Sequence, residues 1–133
     1  MEKKRIYGRC EYPGIVEAEA LVAGKYIQGF TNVKPERGYT TERNHPLFRV
    51  PYTDKVLVFY SPRGSGGIRM YGSGAKPAAF IYMKSSPLMV GLALQAHVPM
   101  IAGFEEDILE YIETGDMVLV NADEGYIEIT KKQ

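Results

Sequence analysis

Cysteine, histidine and tryptophan are scarce in this sequence of 133 residues, which has one cysteine, two histidines and no tryptophan. The lone Cys10 cannot form an internal disulfide, and a single free thiol fits a reducing compartment. Iron–sulfur clusters are normally held by several thiolates, so this chain is not expected to hold one. We therefore expect no cofactor and no metal ion bound by the chain itself.

An excess of charge is also missing, since 16 lysines and arginines are balanced by 16 aspartates and glutamates. Nucleic-acid binders and proteins of acidic membrane surfaces normally carry a basic excess, so neither partner is expected. No run approaches the roughly 18 apolar residues of a membrane span. The charged start Met1-Glu2-Lys3-Lys4-Arg5 lacks the apolar segment of a secretion signal. These absences predict a soluble cytoplasmic protein.

Apolar residues make up 45% of the chain, enough for the core of one domain spanning residues 1–133. Short β patterns over Arg5–Cys10 and Ile15–Val22 predict half-buried antiparallel strands about a turn at Pro13-Gly14. The continuous apolar run Lys55–Tyr60 predicts a strand buried on both faces, which we place at the centre of the sheet.

Beyond this strand, the patterns alternate between strand and helix and end in a hairpin. They predict strands over Ala78–Met83 and Val98–Ala102, a helix over Leu88–Gln95, a helix opened by Glu105-Glu106-Asp107 and ending near Tyr111, and a hairpin of Met117–Asn121 with Tyr126–Thr130. Residues 24–52 have no sustained period and predict a long irregular connection, of the kind that often carries function. The predicted fold class is α/β, a mixed central sheet with flanking helices and β-hairpins.

A glycine-rich turn, Arg63-Gly64-Ser65-Gly66-Gly67, directly follows the central strand and precedes the weakly helical stretch Ile68–Ser73. It has neither the ending of a P-loop nor the spacing of a dinucleotide fingerprint, so a nucleotide site is not expected. A serine beside an arginine at a helix N-terminus sits where its alkoxide is favoured, so Ser65 could act as a base. The alternative is a flexible turn with no chemistry.

The histidines and the clustered acids give weaker signals. Neither His45 nor His97 is placed by the sequence to pair with Ser65, and a Gly-x-Ser-x-Gly elbow is missing, so a serine hydrolase is not supported. His45 precedes a proline, in extended or turn backbone, where it is either functional or a plain surface residue. His97, at the predicted end of a helix, is interpreted as structural. The acids 105–107 are interpreted as partners of a helix dipole and not as metal ligands.

A series of short motifs, in their order along the chain, resembles the small swivel-domain subunit of aconitase X over roughly residues 5–130. The motifs are Tyr26–Gly38, His45-Pro46-Leu47, Lys55-Val56-Leu57-Val58, Arg63-Gly64-Ser65, Lys76-Pro77-Ala78-Ala79, Val98-Pro99 and Thr114-Gly115-Asp116. Several short motifs in one order are more specific than any one of them.

This resemblance implies a swivelling β/β/α domain like the mobile domain of aconitase. It also implies that the chain is one subunit of a two-subunit hydro-lyase whose iron–sulfur cluster lies on a separate large subunit. Members of the family dehydrate cis-3-hydroxy-L-proline or mevalonate 5-phosphate, and the serine of their Arg-Gly-Ser motif is the catalytic base. That role carries over to Ser65.

The residues that we expect to bind a small anionic substrate are Arg63, Gly64, Gly66, Gly67, Asn32 and His45. The chain departs from the family in two places. Thr31–Pro35 replaces Gly-Gly-Val-Asp-Pro, and Gly66 replaces a second Ser, Thr or Cys. The alternative function is therefore a non-catalytic swivel module that binds a partner subunit or a small anionic ligand.

Overall fold

The computed structural model describes residues 3–22, 33–34, 39–40, 43, 46–47, 49–61, 76–84, 90–91, 93–94 and 97–132. The strands within these ranges are Lys3–Tyr7 (β1), Arg9–Tyr12 (β2), Ile15–Val22 (β3), Val33–Lys34 (β4), Tyr39–Thr40 (β5), Val56–Phe59 (β6), Ala79–Tyr82 (β7), Met100–Ala102 (β8), Met117–Asn121 (β9) and Tyr126–Thr130 (β10). Residues 90–91 and 93–94 are helical, and Ile108–Glu110 form a 3₁₀ turn.

The described strands form a mixed sheet in the order β1-β10-β9-β3-β6-β7-β8-β2, and β4 pairs with β5 separately. The four neighbours β3, β6, β7 and β8 run parallel, and the other pairs are antiparallel. Strand β6 is fully buried and lies between β3 and β7. The prediction that the run Lys55–Tyr60 supplies a central strand is confirmed.

Two bends close this sheet on itself. The first half of β3, Ile15–Glu19, pairs with β9, whereas its second half, Ala20–Val22, pairs with β6. Strands β1 and β2 lie at opposite ends of the strand order, yet Gly8 alone separates them in the chain. The sheet therefore curls until its two edge strands, β1 and β2, meet at Gly8, as in barrels whose corners are made by strands that change sheets.

The inside of the curled sheet is filled by a cluster of aliphatic residues from every side. These residues include Ile6, Ala20, Val56, Val58, Ala79, Ile81, Ile101, Val118, Val120, Ile127 and Ile129. The alternate residues of the parallel strands point outward and form a second cluster around Leu57, Phe59, Phe80, Tyr82 and Met100, which is covered by Leu47, Tyr52 and Ala93. Because Ala93 belongs to the helical segment, the layers follow the β/β/α arrangement that the family resemblance implies.

Two local predictions were wrong. Strands β2 and β3 are not a hairpin about Pro13-Gly14, because β2 pairs with β8 and β3 pairs with β9 and β6. The segment after Glu105 is a single 3₁₀ turn capped by Asp107, whose side chain accepts a hydrogen bond from the Leu109 amide at 3.0 Å. The acids 105–107 therefore open a turn and not a full helix.

His97 ends the helical segment in an unusual way. Its φ of 58° is in the left-handed region, where glycine is the usual residue. The Val98 amide donates to the Ala93 carbonyl at 3.1 Å and the His97 amide donates to the Leu94 carbonyl at 3.4 Å, the pattern of a Schellman cap. The Nδ1 atom of the His97 ring lies 2.9 Å from the Tyr12 hydroxyl oxygen. The role of His97 is therefore structural, although its ring contacts Tyr12 and not the last carbonyls of the helix.

Candidate active site

The glycine-rich turn leaves the carboxyl end of β6, the central parallel strand. The residues predicted to act there, namely Ser65, Arg63, Gly64, Gly66, Gly67, Asn32 and His45, lie outside the described residues, as does the predicted helix Ile68–Ser73. The structure therefore describes the framework from which this turn departs, through Tyr60 and Ser61.

Three adjacent parallel strands end together at this edge. The backbone ladder between β6 and β7 continues past both strands, since the Met83 amide donates to Phe59 O at 3.2 Å and the Lys84 amide donates to Tyr60 O at 2.9 Å. The Gly103 amide, just after β8, donates to Met83 O at 3.3 Å. In α/β folds, both open sheets and barrels, ligands bind at the carboxyl ends of the parallel strands, so this end of the sheet is the candidate site.

Two cations that the sequence reasoning missed lie at this edge. The exposed Lys84 lies two residues after the end of β7, and its Nζ lies 5.5 Å from the centre of the Tyr60 ring. The Arg9 guanidinium lies against Gly103, where a β-carbon would be 3.0 Å from Nη1, and it also pairs with Glu11 at 2.8 Å. A lysine directly after the predicted buried strand Ala78–Met83 is a signal that would have identified Lys84.

The Thr114-Gly115-Asp116 motif secures the second half of β3 on the side opposite β6. The Val22 amide donates to Thr114 Oγ1 at 2.9 Å, the Ala20 amide donates to Asp116 O at 2.8 Å, and the Gly115 amide donates to Ala20 O at 3.0 Å. This motif therefore fixes the strand that borders β6, and it has a structural role.

The carboxylate of Asp116 is fully buried within this turn. Burial by itself would raise the pKa of Asp116, but hydrogen bonds from the Lys131 ammonium and from the Lys132 and Glu113 amides hold that pKa below its usual value. The amides lie 3.0 Å and 2.8 Å from its oxygens. Asp116 stays ionised and anchors the residues after β10 to the turn, so it is not a candidate for acid–base chemistry.

The donor atoms of this chain do not fit an iron–sulfur cluster. The sequence has a single thiol, Cys10 on β2. Partial burial is the main cause that raises the pKa of this thiol, and the negative charges of Asp123 and Glu11 raise it further. Within the described ranges, histidine, cysteine and acidic side chains form no group of three or more that could hold a metal ion. Those ranges also contain no helix long and apolar enough to cross a membrane.

Comparison with known proteins extends over almost the whole chain. Residues 5–129 match the aconitase X swivel domain. The phosphomevalonate dehydratase small subunit of Methanosarcina mazei is 35% identical, over 94% of this chain and 90% of the relative, and that of Archaeoglobus fulgidus is 32% identical, over 87% and 91%. The crystal structure of Thermococcus kodakaraensis aconitase X in its holo-form superimposes with a TM-score of 0.85 at 27% identity, covering 96% of this chain and 99% of that one. The predicted resemblance and fold class are therefore confirmed, and the chain belongs to the aconitase X swivel-domain family.

Proposed function

We propose that residues 1–133 form a single swivel domain that serves as the small subunit of a two-subunit dehydratase of the aconitase X type. The observation that carries this proposal is the 35% identity to a phosphomevalonate dehydratase small subunit over nearly the full length of both chains. The names of the relatives favour mevalonate 5-phosphate as the substrate over cis-3-hydroxy-L-proline.

In this proposal Ser65 is the base that takes a carbon-bound proton from the substrate. The neighbouring carbon then loses its hydroxyl, so that a carbon–carbon double bond and one molecule of water are formed. Support comes from the position of Ser65 in the chain, four residues after Ser61 at the carboxyl end of the central parallel strand. Its two sequence neighbours are glycines, which add no side chain that could cover its hydroxyl, and Arg63 two residues before it would favour the alkoxide.

The other residues of the turn bind the anionic part of the substrate. Arg63 supplies charge, Gly64, Gly66 and Gly67 supply backbone amides without a side chain in the way, and Asn32 and His45 supply polar groups from the long connection. The lone Cys10 makes this chain unsuited to hold the iron–sulfur cluster, so we assign that cluster to the large subunit. The chain then works in the cytoplasm, in a reducing compartment, as part of a hetero-oligomer.

The test is co-expression with an aconitase-X-type large subunit under anaerobic conditions, followed by dehydration assays on both substrates. Wild-type complex is expected to turn over mevalonate 5-phosphate, and Ser65→Ala is expected to lower the rate by about 10²- to 10⁴-fold, the usual effect of removing a positioned base. Ser61→Ala is the matched control, because this partly buried serine precedes the turn and lies outside the Arg-Gly-Ser motif.

Equal activities of the two serine variants would overturn the assignment of Ser65. A well-formed complex that turns over neither substrate would favour the non-catalytic swivel module instead. Iron and sulfide bound in stoichiometric amounts to the small subunit purified without its partner would contradict the assignment of the cluster.

A further inference from the structure

We propose that Lys84 binds the phosphate group of the substrate and so makes the enzyme selective for a phosphorylated hydroxy acid. This inference rests on the proposed dehydratase function. It adds a residue that lies outside the glycine-rich turn and outside every motif on which the family resemblance depends.

Lys84 is fixed at the candidate site by its backbone, since its amide donates to Tyr60 O at 2.9 Å and so extends the parallel ladder between β6 and β7. Three residues after Tyr60, the chain enters the glycine-rich turn at Arg63. The ammonium of Lys84 therefore stands at the ends of the strands where ligands of such sheets bind.

Lys84 is exposed, and among the described residues it has no carboxylate within ion-pairing distance. Arg9 at the same edge is already neutralised by Glu11 at 2.8 Å. Of the two cations described at this edge, Lys84 is thus the one better able to attract a dianion.

Lysines elsewhere in the described structure show the contrast. A cavity of about 220 Å³ is lined by Lys3, Lys4 and Lys131 together with Tyr111 and Ile129. Its cations are paired, Lys4 with Glu106 at 3.2 Å and Lys131 with Glu113 at 3.2 Å. That cavity therefore offers a phosphate little net charge, whereas Lys84 offers a full positive charge.

A cation–π contact restrains the side chain of Lys84. Its Nζ lies 5.5 Å from the centre of the Tyr60 ring, within the range of a cation–π contact. The ring restrains the ammonium without using its hydrogen-bond donors, because the attraction is to the face of the ring. The donors remain available for phosphate oxygens, and lysine is a common phosphate-binding residue.

The test compares Lys84→Gln with Lys55→Gln in the assembled enzyme. Lys55 is a matched control, because it directly precedes β6 at the opposite end of the same strand pair and is paired with Glu19 at 3.3 Å. For mevalonate 5-phosphate, Lys84→Gln is expected to raise KM by about 10- to 100-fold, the effect of losing a hydrogen bond to a charged group, with a smaller change in kcat. Lys84→Arg is expected to restore most of the binding, and Lys55→Gln is expected to behave like the wild type.

A second measurement does not depend on turnover. Inorganic phosphate is titrated into the ¹⁵N-labelled full chain, and the amide signals of Lys84 and Tyr60 are followed. Shifts that saturate in the wild type and in Lys55→Gln, but are lost in Lys84→Gln, would support the proposal even if the complex proves to have another substrate. Phosphate that moves no signal near Lys84, together with an unchanged KM, would overturn it.

A third outcome separates phosphate binding from subunit docking. If Lys84→Gln weakens assembly with the large subunit and leaves phosphate binding unchanged, Lys84 contacts an acidic group of the partner and the proposal is wrong. If the wild-type complex fails to dehydrate mevalonate 5-phosphate while phosphate still binds at Lys84, the proposed reaction fails and the anion site stands.

Discussion

Replacing Asp116 tests whether the turn beside β3 depends on its buried carboxylate. Asp116→Ala deprives the Glu113 amide, 2.8 Å away, and the Lys132 amide, 3.0 Å away, of their acceptor. A buried amide left without a partner costs about 1–3 kcal/mol, and because these two hydrogen bonds are only partly buried, we expect a loss toward the lower end of about 2–6 kcal/mol in the free energy of unfolding. The Lys131 ammonium is half exposed and returns to water, so it adds little. A domain of this size is stable by about 5–15 kcal/mol, so the loss is severe.

Two further variants keep this test interpretable. Asp116→Asn keeps the size of the side chain and one carbonyl oxygen, and it is expected to cost less, about 1.5–3 kcal/mol, through loss of the charged acceptor. Glu113→Gln is the control, because its side chain is 68% exposed and pairs with the same lysine at 3.2 Å. An exposed pair of this kind contributes about 0–1 kcal/mol.

The pH dependence follows from the lowered pKa of Asp116. A carboxyl group whose pKa is lower in the folded than in the unfolded chain stabilises the fold at pH values above its unfolded pKa of about 4. That contribution is lost as the pH falls through the folded pKa. The deficit of Asp116→Asn relative to the wild type is therefore expected to be constant near neutral pH and to shrink on acidification below pH about 4.

Urea unfolding at a series of pH values measures these differences as shifts of the midpoint at constant slope. The reasoning would be refuted if Asp116→Ala cost no more than Glu113→Gln at neutral pH. A deficit of Asp116→Asn that stayed the same down to pH about 3 would show that the carboxylate is not held in its ionised form by the fold.

Two other predictions concern backbone positions and are read out by thermal unfolding. Gly8→Ala is expected to cost about 1–3 kcal/mol, because its β-carbon would lie 2.9 Å from side-chain atoms of Ile101 and Phe104. The control Gly91→Ala, at an exposed helical position with nothing within 4 Å, is expected to be neutral or to stabilise by up to about 1 kcal/mol; a similar loss for both would contradict the packing argument. At His97, where φ is 58°, the glycine variant is expected to be more stable than the alanine variant by about 1 kcal/mol, and equal midpoints would show that the left-handed backbone carries no cost.

Some strands of this fold can be predicted from local patterns in the sequence. The strands β6 and β7 are found from continuous apolar runs, because a strand buried on both faces needs an apolar residue at every position. The hairpin of β9 and β10 is found from its alternating residues and the turn at Asp123-Glu124-Gly125, because its partners are close in the chain. The family motifs are also local, and they were enough to predict the swivel domain.

Partner choice between distant strands was decided only by the tertiary structure. Cys10 pairs with Ile101, and the two halves of β3 pair with β9 and β6, contacts that leave no short-range signal. The pattern of β3 carries a trace of this division, since Ile15–Glu19 alternate and Ala20–Val22 are continuously apolar. Without the positions of β6 and β9, this change of pattern could not be interpreted as a change of partner strand.

The charges at the candidate site are likewise determined partly by the sequence and partly by the tertiary structure. The sequence by itself determined that a glycine-rich turn with Arg63 and Ser65 follows a buried strand. That Lys84 lies beside Tyr60 and without a carboxylate partner among the described residues depends on which strands are neighbours, as does the position of Arg9 against Gly103. The pairing of Arg9 with Glu11 is local, because both residues lie in β2. Electrostatic compensation acts between groups that are close in space, so only the closed sheet decides that Lys84 keeps its charge available at this edge.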